Sequence, residues 1–339
     1  MTSRGLRGLL RAAAEYSGQA LRGRFHLGLA PRRFTAALLE ATRPHYFALP
    51  AGASLAGSAA APGAEFGWRM AAAAAAAGVG WGVGQLLNDL MDTEADAVDA
   101  PGRPAVRGLL PDGPTMTIAI LTGLAVATVT VLLHPQAYVL VIVSTVLMLG
   151  YGAAKRHPLM GNLAHGALIA TAATIGRVAA TPGQPLLSAV RQAWPLLVVA
   201  GAWSATYLQS NYEKDRRGDA LAHCRTLAHV VGLRASAALR WLAAAGIATA
   251  AVGISSVVGI VGWAALAAAM LAVTASAVLV VWHPTEAVAL RGYRLAVHGA
   301  AMGMLSLSGA VLGQAGQFVA IAVSMGLIER AFRRNPQNA

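Results

Sequence analysis

The chain has 339 residues, of which 56% are apolar and only 12% are charged, and its mean hydropathy is +0.57. A soluble domain usually carries about a quarter charged residues, so this composition excludes a water-soluble globular protein. A single cysteine, Cys224, excludes a disulfide framework and any cysteine-based zinc or iron–sulfur site. The net charge of +12 is typical of a nucleic-acid binder or of a basic membrane protein.

Apolar segments of roughly 20 residues, the length that a helix needs to cross a bilayer, recur along the chain. They predict an all-α polytopic membrane bundle of nine transmembrane helices, or ten if the last segment also crosses. Frequent Ala and Gly residues predict close helix packing. The candidate spans are 44–61, 68–88, 115–133, 137–154, 159–180, 193–212, 236–255, 257–281, 294–313 and 316–331.

The sequence divides into three parts. Residues 1–40 alternate Arg with apolar residues and predict a basic amphipathic helix on anionic lipid, with a flexible basic tail as the alternative. This part lacks the apolar core and the cleavage site of a secretory signal. Residues 41–313 form the membrane domain, and residues 314–339 form a C-terminal helix and a basic tail.

The basic residues predict the orientation. If the N-terminus is cytoplasmic, 23 of the 26 Lys and Arg residues fall on the inner side, and only Arg69, Arg177 and Arg191 fall outside. Cytoplasmic loops of membrane proteins carry this excess. The charge therefore indicates a multi-pass protein of the cell (inner) membrane in contact with lipid, and no nucleic-acid partner is expected.

All seven aspartates lie in two clusters, both of which contain the spacing N-x3-D-x3-D. The residues with this spacing are Asn88, Asp92 and Asp96 at the end of the second span, and Asn211, Asp215 and Asp219 at the end of the sixth. On a helix, this spacing predicts one stripe of side chains. Because four spans separate the clusters, both emerge on the same face. A single match to the N-x3-D-x3-D spacing also occurs in ordinary loops, but two matches on the same face favour a functional site.

Carboxylates concentrated in this way repel one another unless a cation lies between them. Mg²⁺ prefers oxygen ligands and usually takes one or two carboxylates together with substrate phosphate oxygens. The sequence therefore predicts that Mg²⁺ binds at the two clusters.

The residues from Asn88 to Asp96 read NDLMDTEAD and resemble the first motif, NDxxDxxxD, of the UbiA superfamily of intramembrane prenyltransferases. The following DAVDAPGRP is similar to the run found in members that prenylate chlorophyll-type or lipid acceptors. The run DRRGD from Asp215, followed by RTL, is similar to the second motif, although Tyr212 stands where the usual form has another Asp. Further matches, over a resemblance that covers residues 40–313, are Tyr151-x3-Lys155, Gly161-Asn162 and Arg43-Pro44.

The resemblance implies nine spans around a central cavity that is open toward lipid and capped by the Asp-rich loops. It also implies Mg²⁺-dependent ionisation of an allylic prenyl diphosphate, followed by capture of the carbocation by a lipophilic acceptor. The implied catalytic metal ligands are Asp92, Asp96, Asp215 and Asp219, joined by the amides of Asn88 and Asn211. The implied substrate-binding residues are Arg43, Arg103, Tyr151, Lys155, Asn162, Tyr207 and Arg225.

The acceptor stays open. Members that use aromatic acids typically read YDTxYA before the second motif, whereas this chain keeps Tyr207 but has Leu208 and Asn211 at two of the other positions. A hydroxybenzoate acceptor is therefore disfavoured. His165 has no carboxylate or Cys partner at ligand spacing, so it is interpreted as a packing residue.

Two other functions remain from the sequence. A membrane terpene cyclase on the same scaffold would use the diphosphate alone. A cation-coupled transporter would use the acidic residues as its ion site, although transporter carboxylates are expected near the middle of the membrane.

Overall fold

The computed structural model describes residues 5–22 and 29–334. The helices are α1 (Leu6–Leu21), α2 (Pro31–Ala41), α3 (Ala48–Ala59), α4 (Trp68–Met91), α5 (Thr93–Asp99), α6 (Asp112–Leu133), α7 (Tyr138–Ala154), α8 (Met160–Ala180), α9 (Leu186–Lys214), α10 (Arg216–Leu221), α11 (Leu227–Ala251), α12 (Ile260–Trp282), α13 (Glu286–Ser306) and α14 (Gly309–Arg334). No strand occurs within the described ranges, which confirms the all-α prediction.

Eight helices in the described part of the chain are long and apolar enough to cross a membrane. Of the ten predicted spans, the two that correspond to α3 and α13 are not among these eight helices. Helix α3 has only 12 residues, fewer than the roughly 20 that a full crossing needs. Helix α13 has 21 residues, but Arg291 and Arg294 lower its hydropathy. The polytopic bundle is confirmed, whereas the number of nine spans is not established by these helices.

Several helix ends differ from the predicted spans. The span predicted at 193–212 lies inside the longer helix Leu186–Lys214. The end predicted for the span 294–313 was wrong, because α13 ends at Ser306 and α14 begins at Gly309. Hydropathy marks the apolar part of a helix, whereas backbone hydrogen bonds continue into its polar flanks.

Small residues bring the central helices into backbone contact. Where α3 crosses α8, a Cβ atom at Gly57 would lie 1.8 Å from the carbonyl oxygen of Ala173. A Cβ atom at Gly176 would lie equally close to the carbonyl oxygen of Ser54. Only glycine fits at these two positions, and such close approach is typical of membrane helices. Helix α8 is largely buried there and lies against α9, which places it at the centre of the bundle.

The outer helices have the opposite character. On α6 and α7, the apolar side chains of Leu121, Leu132, Ile142 and Val146 are exposed. Apolar surface on this scale is unfavourable in water and is the surface expected toward lipid. The chain is a multi-pass membrane protein.

Helix α1 packs against the bundle. Its residues Leu9 and Ala13 are buried, and a Cβ atom at Gly113 of α6 would lie 2.8 Å from the Cβ atom of Tyr16. Arg11 is exposed on the other side. The apolar side of the predicted amphipathic helix therefore packs on α6, while its basic side remains exposed. Residues 1–4 and 23–28 of this predicted segment, and 335–339 of the predicted basic tail, lie outside the described residues.

Candidate active site

The two Asp-rich segments have the same backbone arrangement. Each begins at the end of a long helix, α4 or α9, and continues into a short one, α5 or α10. The chain turns at the middle aspartate, with φ/ψ of −98°/16° at Asp92 and −94°/17° at Asp215. The three residues of each motif are therefore not carried by a single uninterrupted helix. Backbone hydrogen bonds from Asp96 N to Asp92 O (2.9 Å) and from Asp219 N to Asp215 O (3.0 Å) keep the four-residue spacing.

The short helices α5 and α10 lie in direct contact. The backbone N–H of Gly218 donates a hydrogen bond of 2.8 Å to Asp99 Oδ2. A Cβ atom at Gly218 would lie 2.2 Å from this carboxylate oxygen and 2.7 Å from the carbonyl oxygen of Ala95. A glycine is therefore required for the two segments to meet.

Arginine side chains neutralise the buried carboxylates of the first segment. Asp89 is 1% exposed, contacts the guanidinium of Arg43, and has Oδ1 3.5 Å from Arg103 Nη1. Arg103 also contacts Asp96. Arg43 donates a further hydrogen bond of 2.7 Å to Gln85 Oε1. These contacts join the entry to α3 and the loop after α5 to the end of α4.

Lysine side chains contact carboxylates of both segments. Lys155 Nζ lies 3.1 Å from Asp92 Oδ2 and 3.3 Å from Asp219 Oδ1. Lys214 Nζ lies 2.6 Å from Asp215 Oδ1. Lys155 therefore joins one carboxylate of each segment, so the two clusters that the sequence predicts on the same face lie together.

Burial acts against the charged forms of several carboxylates. Burial raises the pKa of Asp96 to about 6, although Arg103 favours the charged form. Burial and the neighbouring Asp215 raise the pKa of Asp99 to about 7. Burial also raises the pKa of Asp219. A nearby cation would favour the charged form of each group.

No three carboxylate, imidazole or thiol groups among the described residues lie close enough together to hold a metal ion in this arrangement. The carboxylates contact Arg and Lys side chains instead. An ion that used several of these carboxylates would therefore require the contacts with Lys155 and Lys214 to open.

A cavity of about 590 Å³ lies beneath the Asp-rich segments. Along α4 its wall runs from Met91 to Ala76, which is about 22 Å at the helical rise of 1.5 Å per residue. The predicted site residues that line it are Arg43, Asn88, Asp92, Asp96, Arg103, Tyr151, Lys155, Tyr207, Asn211, Asp215 and Asp219.

Two predicted substrate-binding residues lie away from this lining. Asn162 is buried between helices, where its amide donates hydrogen bonds to the carbonyl oxygen of Ala205 (2.9 Å) and to Gln209 Oε1 (3.2 Å). Arg225 is exposed, and its backbone N–H donates to the carbonyl oxygen of Lys155 at 3.0 Å. Asn162 thus makes interhelical contacts, and Arg225 supports the loop that carries Lys155.

Aromatic residues form another part of the cavity wall. The hydroxyl of Tyr293 lies 2.6 Å from that of Tyr46 and 3.0 Å from that of Tyr207. The rings of Tyr207 and Tyr293 stack with their centroids 6.1 Å apart. Aromatic faces can stabilise a carbocation by cation–π attraction.

Sequence reasoning missed Lys214 and Tyr293. Lys214 Nζ lies 4.8 Å from the ring centroid of Tyr293, in addition to its contact with Asp215. The position of Lys214 directly before Asp215 was an available signal. Tyr293 lies on α13, far along the chain from either motif, and only the fold brings it to the site.

The sequence model of the UbiA prenyltransferase family matches residues 51–296. This match covers more than half of the chain, and the chain belongs to that family of prenyltransferases. Comparison of the sequence with curated proteins finds no match.

Solved structures share the fold. A UbiA homologue from Aeropyrum pernix superposes with a TM-score of 0.65 at 18% identity, covering 83% of this chain and 98% of the homologue. A digeranylgeranylglyceryl phosphate synthase gives a TM-score of 0.57 at 15% identity, and the match covers 82% of this chain and 99% of the synthase. A UbiA homologue from Archaeoglobus fulgidus, bound to DMAPP and Mg²⁺, gives a TM-score of 0.53 at 11% identity, and the match covers 87% of this chain and 99% of the homologue.

Proposed function

We propose that this chain is a Mg²⁺-dependent intramembrane prenyltransferase that ionises an allylic polyprenyl diphosphate and transfers the prenyl group to a lipophilic acceptor. The observation that carries the proposal is the meeting of two Asp-rich segments of equal backbone arrangement above one cavity. The Archaeoglobus fulgidus homologue bound to DMAPP and Mg²⁺ supports it, as does the similarity to a digeranylgeranylglyceryl phosphate synthase.

The oxygen donors of the site fit magnesium. The Oδ2 atoms of Asp89, Asp96 and Asp219 are buried without a hydrogen-bond partner, and carboxylate and amide oxygens are hard ligands of the kind that Mg²⁺ prefers. When bound, the metal would offset the negative charge that develops on the diphosphate leaving group. The residues expected to hold it are Asn88, Asp92, Asp96, Asn211, Asp215 and Asp219.

The basic side chains that line the cavity beside the Asp-rich segments are suited to the diphosphate. Arg43, Arg103 and Lys155 come from three different parts of the chain, and all contact carboxylates. Arginine can bind a phosphate through two parallel hydrogen bonds. A bound diphosphate would take over part of these contacts, while fixed positive charge would stabilise the leaving group as its C–O bond breaks.

The interior of the cavity suits an apolar chain. Below the carboxylates its wall includes Ala76, Gly80, Leu124, Val141 and Ile169. These apolar side chains would keep water from an allylic carbocation in this region, and the rings of the aromatic wall would lie beside it. These features support an apolar substrate with an anionic end, which is the form of a prenyl diphosphate.

The arrangement of the Arg residues supports the orientation proposed for the membrane. Arg69, at the start of α4, contacts the carbonyl oxygens of Leu133 and Ala179 at the ends of α6 and α8. These ends lie opposite the Asp92 end of α4. We expect the Asp-rich segments to face the cytoplasm, where most basic residues are predicted.

The test is diphosphate release from geranylgeranyl diphosphate by the full chain in lipid nanodiscs. Release should require Mg²⁺ and should fall at least a hundredfold, or about 2.7 kcal/mol of barrier, in Asp92→Ala and in Asp215→Ala. Glu94→Ala is the matched control, because Glu94 is an exposed acid on α5, and it should keep wild-type activity. Retention of more than about a tenth of the activity in either Asp variant would contradict the proposal.

A further inference from the structure

Trp81 and His165 face each other on the wall of the cavity. Trp81 belongs to α4 and His165 to α8, and both line the cavity. Their rings meet edge to face with centroids 5.0 Å apart. His165 is only 4% exposed, so its ring is held by the surrounding helices.

One ring nitrogen of each residue in this pair has no hydrogen-bond partner. Trp81 Nε1 and His165 Nε2 are both buried, and neither makes a hydrogen bond. The sequence interpretation of His165 as a packing residue would lead one to expect a hydrogen bond at its ring, but Nε2 makes none. A buried polar group without a partner is unfavourable, and in native proteins it calls for a partner such as a ligand.

The position of the pair separates it from the proposed metal site. Trp81 precedes Asn88 by seven residues on α4, which is about 10 Å along the helix axis. Tyr207, whose ring centroid lies 6.1 Å from that of His165, precedes Asp215 by eight residues, or about 12 Å. Trp81 therefore lies about two helical turns below Asn88, the nearest proposed metal ligand on its helix, in the part of the apolar cavity close to the Asp-rich segments.

The two nitrogens together define the chemistry of the missing partner. An indole N–H can only donate, whereas the imidazole Nε2 accepts when the ring proton is on Nδ1. A hydroxyl group both accepts and donates, so it can supply the donor that His165 Nε2 lacks and the acceptor that Trp81 Nε1 lacks. We propose that Trp81 and His165 bind the hydroxyl group of the prenyl acceptor. This inference rests on the proposed prenyl transfer and assigns the acceptor to apolar molecules that carry a hydroxyl.

The pair would also direct the transfer step. The diphosphate leaves with the electron pair of its C–O bond, and a lone pair of the acceptor oxygen forms the new C–O bond to the allylic carbon. The proton of that oxygen passes to His165 Nε2. Water that enters as the products leave takes the proton before the next turnover.

The experiment compares two probes, para-nonylphenol and its methyl ether, which differ only in whether the oxygen carries a hydrogen atom or a methyl group. Their affinities are measured on the full chain in lipid nanodiscs, with empty nanodiscs correcting for partition into lipid. The wild type should bind the phenol about tenfold more tightly than the ether, as expected for one buried hydrogen bond.

The variants give different patterns because the two nitrogens have different roles. His165→Phe should abolish the preference for the phenol. Trp81→Phe should weaken the binding of both probes by a similar factor and keep the preference for the phenol. The oxygen of either probe can accept a hydrogen bond from the indole, so both probes lose this bond in the variant. His283→Phe, at an exposed histidine after α12, is the matched control and should behave as the wild type. Equal affinities in the wild type, or an unchanged preference in His165→Phe, would overturn the inference.

The same nanodiscs separate this inference from the proposed function. Asp92-dependent release of diphosphate from geranylgeranyl diphosphate reports on the proposed function alone. If release is present and the hydroxyl preference is absent, only the acceptor assignment is wrong. If release is absent, the proposed function fails, and the acceptor assignment falls with it.

Discussion

Glu213 and Arg240 form an ion pair that is buried between α9 and α11, with both side chains 1% exposed. Arg240 Nη2 donates to Glu213 Oε2 at 3.1 Å and to Ser276 Oγ of α12 at 3.1 Å. Ser236 Oγ donates to Glu213 Oε1 at 2.9 Å. The pair therefore ties three helices together two residues before Asp215, and it fixes the end of α9 from which the second Asp-rich segment begins.

Replacing one partner of this pair should destabilise the protein strongly. Glu213→Leu leaves the Arg240 charge buried and uncompensated, and the expected loss is about 3–5 kcal/mol. Thermal unfolding in detergent measures the effect. The double variant Glu213→Leu/Arg240→Met should recover much of the loss, since two apolar side chains of similar size leave no buried charge. A double variant no more stable than Glu213→Leu would contradict this account.

At the scale of the helices, the contact between α5 and α10 determines how closely the carboxylates of the two segments approach. Gly218 allows this contact, since nothing larger fits beside Asp99 and the Ala95 carbonyl. The segments are otherwise joined by Lys155, which contacts Asp92 and Asp219. The separation of the carboxylates is therefore set by backbone packing as well as by charge.

The variant Gly218→Ala adds one Cβ atom at this contact and should push α5 and α10 apart. Displacement by about 1 Å can cost roughly a hundredfold in rate, so prenyl transfer should fall by at least tenfold while the bundle stays folded. Gly150→Ala is the matched control, because a Cβ atom there would meet nothing within 4 Å. Wild-type activity in Gly218→Ala would mean that this contact does not position the site.

The sequence was sufficient to predict that the two Asp-rich segments lie on one face, because the number of intervening spans fixes the side on which a segment emerges. It could not predict the breaks at Asp92 and Asp215, because helical spacing and hydrogen bonds continue through both turns. The placement of Asn162 between helices was also not predictable. A motif match gives only the position of Asn162 in the chain. Its hydrogen-bond partner Gln209 lies on a neighbouring helix, which only the fold brings beside Asn162.

For the whole molecule, the short helix α3, which crosses the buried helix α8, accounts for part of the difference between the predicted and the observed spans. Glycines at their crossing allow α3 to lie deep in the bundle, where protein rather than lipid surrounds it. A helix in that position does not need the length of a full crossing. Hydropathy identified the outer helices α6 and α7 and also the buried helix α8, whose predicted span 159–180 agrees with Met160–Ala180, but it could not show that α3 is too short to cross.

The orientation of the whole bundle can be tested by labelling single cysteines in a Cys224→Ser background. Glu94→Cys and Arg217→Cys, at exposed positions in the two Asp-rich segments, should react with an impermeant reagent only from the cytoplasmic side. Gly183→Cys, in the exposed loop between α8 and α9, should react only from the outside. Labelling of the Asp-rich segments from the outside would reverse the proposed topology.

The most direct test of the proposed chemistry is product analysis by mass spectrometry. Membranes that contain the protein are supplied with isotope-labelled geranylgeranyl diphosphate, Mg²⁺ and a lipid extract. The account predicts that the label appears on an acceptor molecule, that this product disappears without Mg²⁺ or in Asp215→Ala, and that diphosphate alone gives only slow hydrolysis to the alcohol. A cyclic hydrocarbon formed at the full rate without the lipid extract would instead identify a terpene cyclase and contradict transfer to a second molecule.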